Sequence, residues 1–332
     1  MTEEGRAFEQ LFHDEPAVWL QWKSYEAAVL PNIGANLIAF RDNENGYMLL
    51  REPSPEEMDA FREKPVIHGI PVLFPPNRYE DGTFTWNGRK YTFPVNEEKT
   101  GNHLHGFFHT AAWTIDNYGV SASESYAQLS ITIEETHPIY TYLPHHFTLR
   151  LRYSLSDSGL QQHIMVQNLD TEPMPCLLAF HTTINAPFAP GSTADDCRFT
   201  MTTGDRWELN ERMLPTGAYQ PMKQGELEMK STGVSPFWES MDNHYTSATK
   251  NGRNMMELTD SKEGVTLVYD VGTAYKQWMI WNNGATPGFF CPEPQLNLVN
   301  APNVALPAEQ IGLVSLEPGG IWEETSRLYL RK

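Results

Sequence analysis

Apolar and polar residues alternate with a period of two along much of this chain. The clearest run is 147–155, where Phe147, Leu149, Leu151, Tyr153 and Leu155 are interleaved with Thr148, Arg150, Arg152 and Ser154. That period sends alternate side chains to opposite faces of a half-buried strand. Leu129, Ile131 and Ile133 alternate with Ser130 and Thr132 in the same way, and 18–22, 33–40, 160–166, 265–271, 277–281, 311–316 and 327–330 read as further strands. Phe84 and Trp86, then Asn87-Gly88, then Tyr91 and Phe93 predict a β-hairpin, because both turn residues must accept positive φ. One helix stands out, over 55–63: Ser54 is its N-cap, Pro55 opens it and Glu57 completes a capping box. No long 3.6-residue period appears. The pattern therefore predicts an all-β fold, a large antiparallel β-sandwich with a few short helices. Alternation weakens from 186 to 250, where Pro187, Pro190, Gly191, Pro215 and Pro221 intervene, and long loops with short strands are expected there. No composition shift, charge run or internal repeat divides the chain, so 1–332 reads as one domain.

Composition narrows the partners. With 40% hydrophobic residues over 332 positions the chain can bury a substantial core, which sets disorder aside. A net charge of −18, from 24 basic and 42 acidic residues, argues against nucleic acid and anionic membranes. No apolar run is long enough to span a bilayer. The opening MTEEGRAFEQLFHDE is an acidic lead-in without an apolar stretch, so it is not expected to be a signal peptide. Cys176, Cys197 and Cys291 lack metal or redox spacing and fit reduced thiols. A cytoplasmic protein is the expectation.

Candidate chemistry gathers around the hairpin. Asn77-Arg78 precede it and Asn102-His103-Leu104-His105-Gly106 follow, so a cation and two imidazoles are expected close together. The spacing of Asn77, Arg78, Gly82, Phe84, Gly88, Tyr91 and Asn96, followed by Asn102, Leu104, His105 and Gly106, resembles the aldose 1-epimerase (galactose mutarotase) family. The resemblance extends over nearly the whole chain. It implies the two-sheet supersandwich of that family, a small-molecule sugar as substrate, and interconversion of hexose anomers without cofactor or metal. Such a reaction needs a base for the anomeric hydroxyl and an acid for the ring oxygen, and a carboxylate with a histidine suits neutral pH. By the same resemblance Glu293, held between Pro292 and Pro294 and followed by Asn300-Ala301, is the base. His181, after the apolar residues 177–180, is the acid and His105 its helper. Arg78, Asp242, Asn77 and His103 would bind the sugar, and Trp281, Phe107 and Tyr245 are candidate stacking platforms that would serve equally as core.

Blander readings stand beside these. A single histidine among apolar residues is more often structural, and a glutamate or arginine taken alone is more often solvated. It is the combination of eleven spaced positions that favours a site. The chain departs from galactose mutarotases after Leu-His-Gly, where Phe107-Phe108-His109 replaces the usual second glycine. The preferred hexose therefore stays open, a hexose 6-phosphate included. His103-x-His105 in a β-rich chain also suggests a cupin-type metal site, but His109 stands where that site needs its glutamate, so no metal is expected. A non-catalytic carbohydrate-binding protein would keep Arg78 and Asp242 yet need not keep both His181 and Glu293. Monomer and homodimer are equally compatible with the sequence.

Overall fold

A computed structural model describes residues 5–332; the first four residues of the acidic lead-in lie outside the described residues. The rest of that lead-in is a strand, Gly5–Phe12, paired along its length with Glu15–Trp22. It was hidden from the pattern because it is an edge strand whose side chains, Phe12 apart, are exposed or half-buried on both faces.

Three antiparallel sheets carry the fold. Residues 5–48 form a five-stranded sheet. The first eight-stranded sheet runs in the order Thr114–Val120, Ser125–Ile133, Phe147–Ser156, Gly159–Asn168, Ile321–Arg331, Val265–Asp270, Met255–Asp260, Cys197–Met201. The second runs Pro215–Gln220, Thr203–Leu209, Asp242–Ser247, Gln277–Trp281, Gly288–Gln295, Ala179–Phe180, Val72–Leu73, with Ile184–Ala186 as an additional partner of Gly288–Gln295. Phe147, Leu149, Leu151 and Tyr153 of the first sheet belong to the same buried cluster as Tyr245, Trp278, Ile280 and Phe290 of the second. The expected sandwich with few short helices is what the chain forms.

Most expected strands fall where alternation placed them, and the hairpin Thr83–Trp86 with Arg89–Thr92 turns at Asn87-Gly88, both at positive φ. The helix begins as a 3₁₀ turn, Pro55–Glu57, and continues as Met58–Glu63, with the Glu57 carboxylate accepting the Ser54 N–H at 2.8 Å. Two runs were read too long. The strand in 33–40 starts only at Asn36, after Gly34 and Ala35 at positive φ, and 311–316 is the end of a helical turn followed by a short strand, Val314–Leu316.

The stretch 186–250 holds more sheet than its pattern suggested. Thr203–Leu209 and Asp242–Ser247 are full members of the second sheet. Asp242–Ser247 escaped notice because polar residues stand on both of its faces, Asp242, His244 and Thr246 on one and Asn243 beside Tyr245 on the other, so no apolar period shows. Among the described residues no helix is long and apolar enough to cross a membrane.

Candidate active site

The second sheet has one face on the core and the other on a cleft of about 240 Å³. Tyr245, Trp278 and Ile280 point to the core; Asp242, Met279, Trp281 and Glu293, one residue out of phase, line the cleft. The register places Met279 opposite Glu293 and Asp242 opposite Trp281, so a carboxylate, a thioether, an indole and a second carboxylate sit on adjoining strands.

His181 enters where a ladder breaks. Gly288–Gln295 pairs with Ile184–Ala186 only as far as Phe290 and with Ala179 only at Gln295. Between these points His181 and Thr183 turn their N–H groups the other way, to Pro71 O at 3.0 Å and Gly69 O at 2.9 Å. The His181 ring then faces Glu293, with Nε2 3.2 Å from Oε1 and the two side chains 6% and 1% exposed. The pair is close but not aligned as a hydrogen bond. Both Glu293 oxygens and His181 Nδ1 have no hydrogen-bond partner among the described residues.

The other wall comes from the chain around the hairpin. Arg78–Glu80 pairs directly with Asn102–Leu104, Arg78 opposite Leu104 and Tyr79 opposite His103. Side chains of opposed residues share a face, so Arg78 and Leu104 reach the cleft while Tyr79 and His103 turn inward. His103 thus stays out of the cleft: its Nδ1 donates to Pro94 O at 2.7 Å, and its ring packs on Phe93 and Phe107. His105 follows at φ +71°, its N–H donating to Asn77 O at 2.9 Å. Its ring meets His181 edge-on, centroids 5.3 Å apart. Gly106 is required next, since at φ +63° a Cβ would sit 2.4 Å from the Phe74 carbonyl oxygen.

Arg78 is held by carboxylates on two sides. Glu97 takes its Nε at 3.0 and 3.1 Å and its Nη2 at 3.0 Å, while Asp242 Oδ2 lies 3.3 Å from Nη2. Asn77 accepts the Arg78 N–H on its own Oδ1 at 2.9 Å, which fixes the backbone from which Arg78 projects.

Burial dominates the electrostatics. It pushes the Glu293 carboxyl well above the ordinary carboxylate range; the Asp242 charge adds to this, and Arg78 and the Gln295 amide oppose it. Burial lowers His181 to about 4. His105 also falls well below the ordinary imidazole value, through burial first and then the nearby His181, His109 and Arg78. Burial thus disfavours the charged form of both members, a carboxyl that resists losing its proton beside an imidazole that resists gaining one. One mobile proton between a carboxylate and an imidazole is an arrangement suited to acid–base exchange with a hydroxylic ligand.

Of the residues singled out by sequence, Glu293, His181, His105, Arg78, Asn77 and Asp242 all line one cleft, together with Trp281. His103 does not. Phe107 stacks on Tyr142 at 4.4 Å, and Tyr245 is on the core side with its hydroxyl donating to Glu226. Sequence reasoning missed Glu97 as the partner of Arg78, and missed Val66 and Ile67, which form the lip of the cleft just after the short helix. It also passed over Met279, which the alternation of Gln277, Met279 and Trp281 within its strand could have exposed. Among the described residues no group of three or more His, Cys, Asp or Glu side chains is arranged to hold a metal ion.

Comparison with known proteins gives consistent relatives. The sequence profile described as aldose 1-epimerase matches residues 17–329. A galactose mutarotase-like protein from Clostridium acetobutylicum is 30% identical over 98% of both chains, and its crystal structure superposes with a TM-score of 0.94. An aldose epimerase homologue from C. elegans shares the fold at 19% identity, with 93% of this chain and 96% of that one covered and a TM-score of 0.71. The uncharacterized protein YihR of Escherichia coli K12 is 24% identical over 242 residues, 72% of this chain and 71% of its own length.

Proposed function

The chain belongs to the aldose 1-epimerase family, and from that premise we propose that it is a mutarotase, interconverting the α and β anomers of a hexose with Glu293 and His181 as its acid–base pair. The observation that carries this reading is the facing of two buried, otherwise unpartnered groups, Glu293 and His181, at 3.2 Å in one cleft. A buried carboxyl without a partner costs stability, which a fold tolerates where a ligand uses the group.

The chemistry follows from one proton on the pair. With the proton on His181, the Glu293 carboxylate takes the proton of the anomeric hydroxyl as His181 Nε2 delivers its own to the ring oxygen. The C1–O5 bond breaks and a free aldehyde results. Glu293 is then protonated and His181 neutral, the distribution that burial already favours. Rotation about C1–C2 presents the other aldehyde face. Glu293 returns its proton to the carbonyl oxygen while His181 takes the O5 proton, and the opposite anomer closes. His105, beside His181, is placed to hydrogen-bond the ring oxygen or a neighbouring hydroxyl. Arg78, Asp242 and Asn77 would hold hydroxyls on the far side, and Trp281 offers an apolar face to the pyranose ring.

Polarimetry of freshly dissolved α-D-glucose and α-D-galactose tests the reading. Catalytic amounts of protein should accelerate the approach to equilibrium rotation for at least one of them, and His181→Asn should abolish the acceleration. Unchanged rates with both sugars would refute the proposal.

A further inference from the structure

Resting on the reading of the cleft as a sugar site, we infer that Glu97 is a specificity-determining residue, a charge filter that occupies Arg78 and so turns anionic sugars away in favour of neutral ones. Among the described residues Arg78 is the only lysine or arginine that lines the cleft. An anionic sugar, a hexuronate or a sugar phosphate, would need its guanidinium as counter-charge and would take it by two parallel N–H donors. The structure leaves neither pair of donors free. The Nε–Nη2 edge is filled by Glu97, whose two oxygens accept three contacts of 3.0–3.1 Å. On the opposite edge Nη2 also serves Asp242 at 3.3 Å, which leaves only Nη1 without a partner among the described residues. A single free nitrogen suffices for a sugar hydroxyl but cannot offer a carboxylate or phosphate two parallel N–H groups from two nitrogens.

Glu97 is itself fixed, which makes the filter part of the architecture. Its Oε2 also accepts from the Thr100 hydroxyl and, at 3.4 Å, from the Asn102 amide. Asn102 in turn donates to Arg212 O at 2.9 Å, and Arg212 bridges to Glu80 and Asp81. Two carboxylates against one guanidinium leave this corner of the cleft negative, and the protein's net charge of −18 acts in the same direction on any approaching anion. Arg78 is thereby held as an oriented hydroxyl donor whose long-range charge is cancelled. Glu97 does not line the cleft, so its effect on the sugar acts through Arg78 and not through contact.

Glu97→Gln keeps the shape of the side chain but sets an amide N–H against Arg78 Nη2 and removes the negative charge; Glu97→Ala opens the whole edge. The probes are D-glucose, D-glucuronate and inorganic sulfate, with kcat and KM from polarimetry and Kd from titration calorimetry. Wild type should bind glucuronate about tenfold or more weakly than glucose and show no saturable sulfate binding, as expected for an unpaired anion against a cancelled cation. Both variants should gain affinity for sulfate and glucuronate by about tenfold. For glucose they should raise KM several-fold with kcat nearly unchanged, a split that general loosening of the fold would not produce. Thermal unfolding checks that each variant is folded, and wild-type discrimination between glucose and glucuronate stands as a measurement free of that risk. If wild type binds both sugars equally, or neither variant gains sulfate affinity, the inference is overturned. If wild type accelerates no hexose yet the variants gain sulfate affinity, the filter stands and the mutarotase reading falls.

Discussion

Glu293→Gln tests the site and its energetics together. In the unfolded chain Glu293 ionises near 4.5, while in the fold burial raises it well above that value. A raised carboxyl means that the folded state keeps a proton the unfolded chain has released. Stability therefore falls as pH climbs from about 4.5 until it passes the folded value, at up to about 1.4 kcal/mol per pH unit. Gln cannot ionise, so the variant escapes this loss. Its unfolding midpoint relative to wild type should accordingly rise between pH 5 and pH 8, whatever the offset at pH 5 from the amide itself. Loss of general acid–base assistance should meanwhile cut turnover by about 10²–10⁴-fold with modest change in sugar affinity. The assays are polarimetry and thermal unfolding across that pH range. Retained turnover would remove Glu293 from the mechanism. A stability difference that stays flat or shrinks with pH would refute the buried, proton-holding carboxyl from which the mechanism starts.

The catalysed rate should form a pH plateau that falls on the acid side as His181 takes a second proton near 4, and on the alkaline side as Glu293 loses the shared one; an acid limb centred on an ordinary histidine value of 6.5 would contradict it. His68, His109, His145 and His181 are each lowered to about 4, and His244 to about 3, by burial above all. The unfolded chain binds protons at these residues below about 6.5 and the folded one does not. Denaturant midpoints should thus drop as pH falls from 6.5 towards 4, by up to about 1.4 kcal/mol per unit for each histidine. Arg78→Lys should raise KM about tenfold or more, because one ammonium cannot serve Glu97, Asp242 and a sugar hydroxyl in the same fixed fork. Gly106→Ala should cost at least about 1–2 kcal/mol in denaturant unfolding, through its left-handed backbone and the Phe74 carbonyl in the way of a Cβ.

Legibility in the sequence tracked how asymmetric each strand is. Phe147–Ser156 buries one apolar row against the core, so a period of two betrayed it at once. Asp242–Ser247 carries polar groups on both faces because one of them is the cleft, and periodicity cannot see such a strand. Glu293 was found by resemblance, yet its place in a central strand was not, since two prolines within eight residues read as a loop. Both His103 and His105 were expected at the site, His105 as helper and His103 as a sugar-binding residue; pairing with Arg78–Glu80 sends His103 inward, and a positive φ aims His105 at His181. Glu97 was invisible for another reason. Its importance lies wholly in a long-range contact with Arg78, which no local pattern encodes.

The prolines explain how a β-sheet can house such a site at all. Gln295 O accepts from Lys276 on one neighbour, whereas Leu296 N–H donates to Leu178 on the other, so even-numbered residues of this strand face the side where the ladder breaks. Any ordinary residue at 292 or 294 would aim a buried N–H into the break, beside His181 and Thr183, whose own N–H groups bond to Pro71 O and Gly69 O. Each such orphan would cost about 1–3 kcal/mol. Pro292 and Pro294 have no N–H to lose. The fold can then open its sheet at one point, bring His181 through the opening against Glu293, and keep the core face of the same strands closed with Trp278, Ile280 and Phe290. Among the described residues Glu293, His181, His105 and Asp242 carry unpartnered side-chain atoms and line the cleft, while Gln295, His244 and His103 carry others outside its lining. The proline pair removes two N–H groups that the break would otherwise orphan, and part of the remaining cost sits on cleft-lining atoms of Glu293, His181, His105 and Asp242 that a hydroxylic ligand could satisfy.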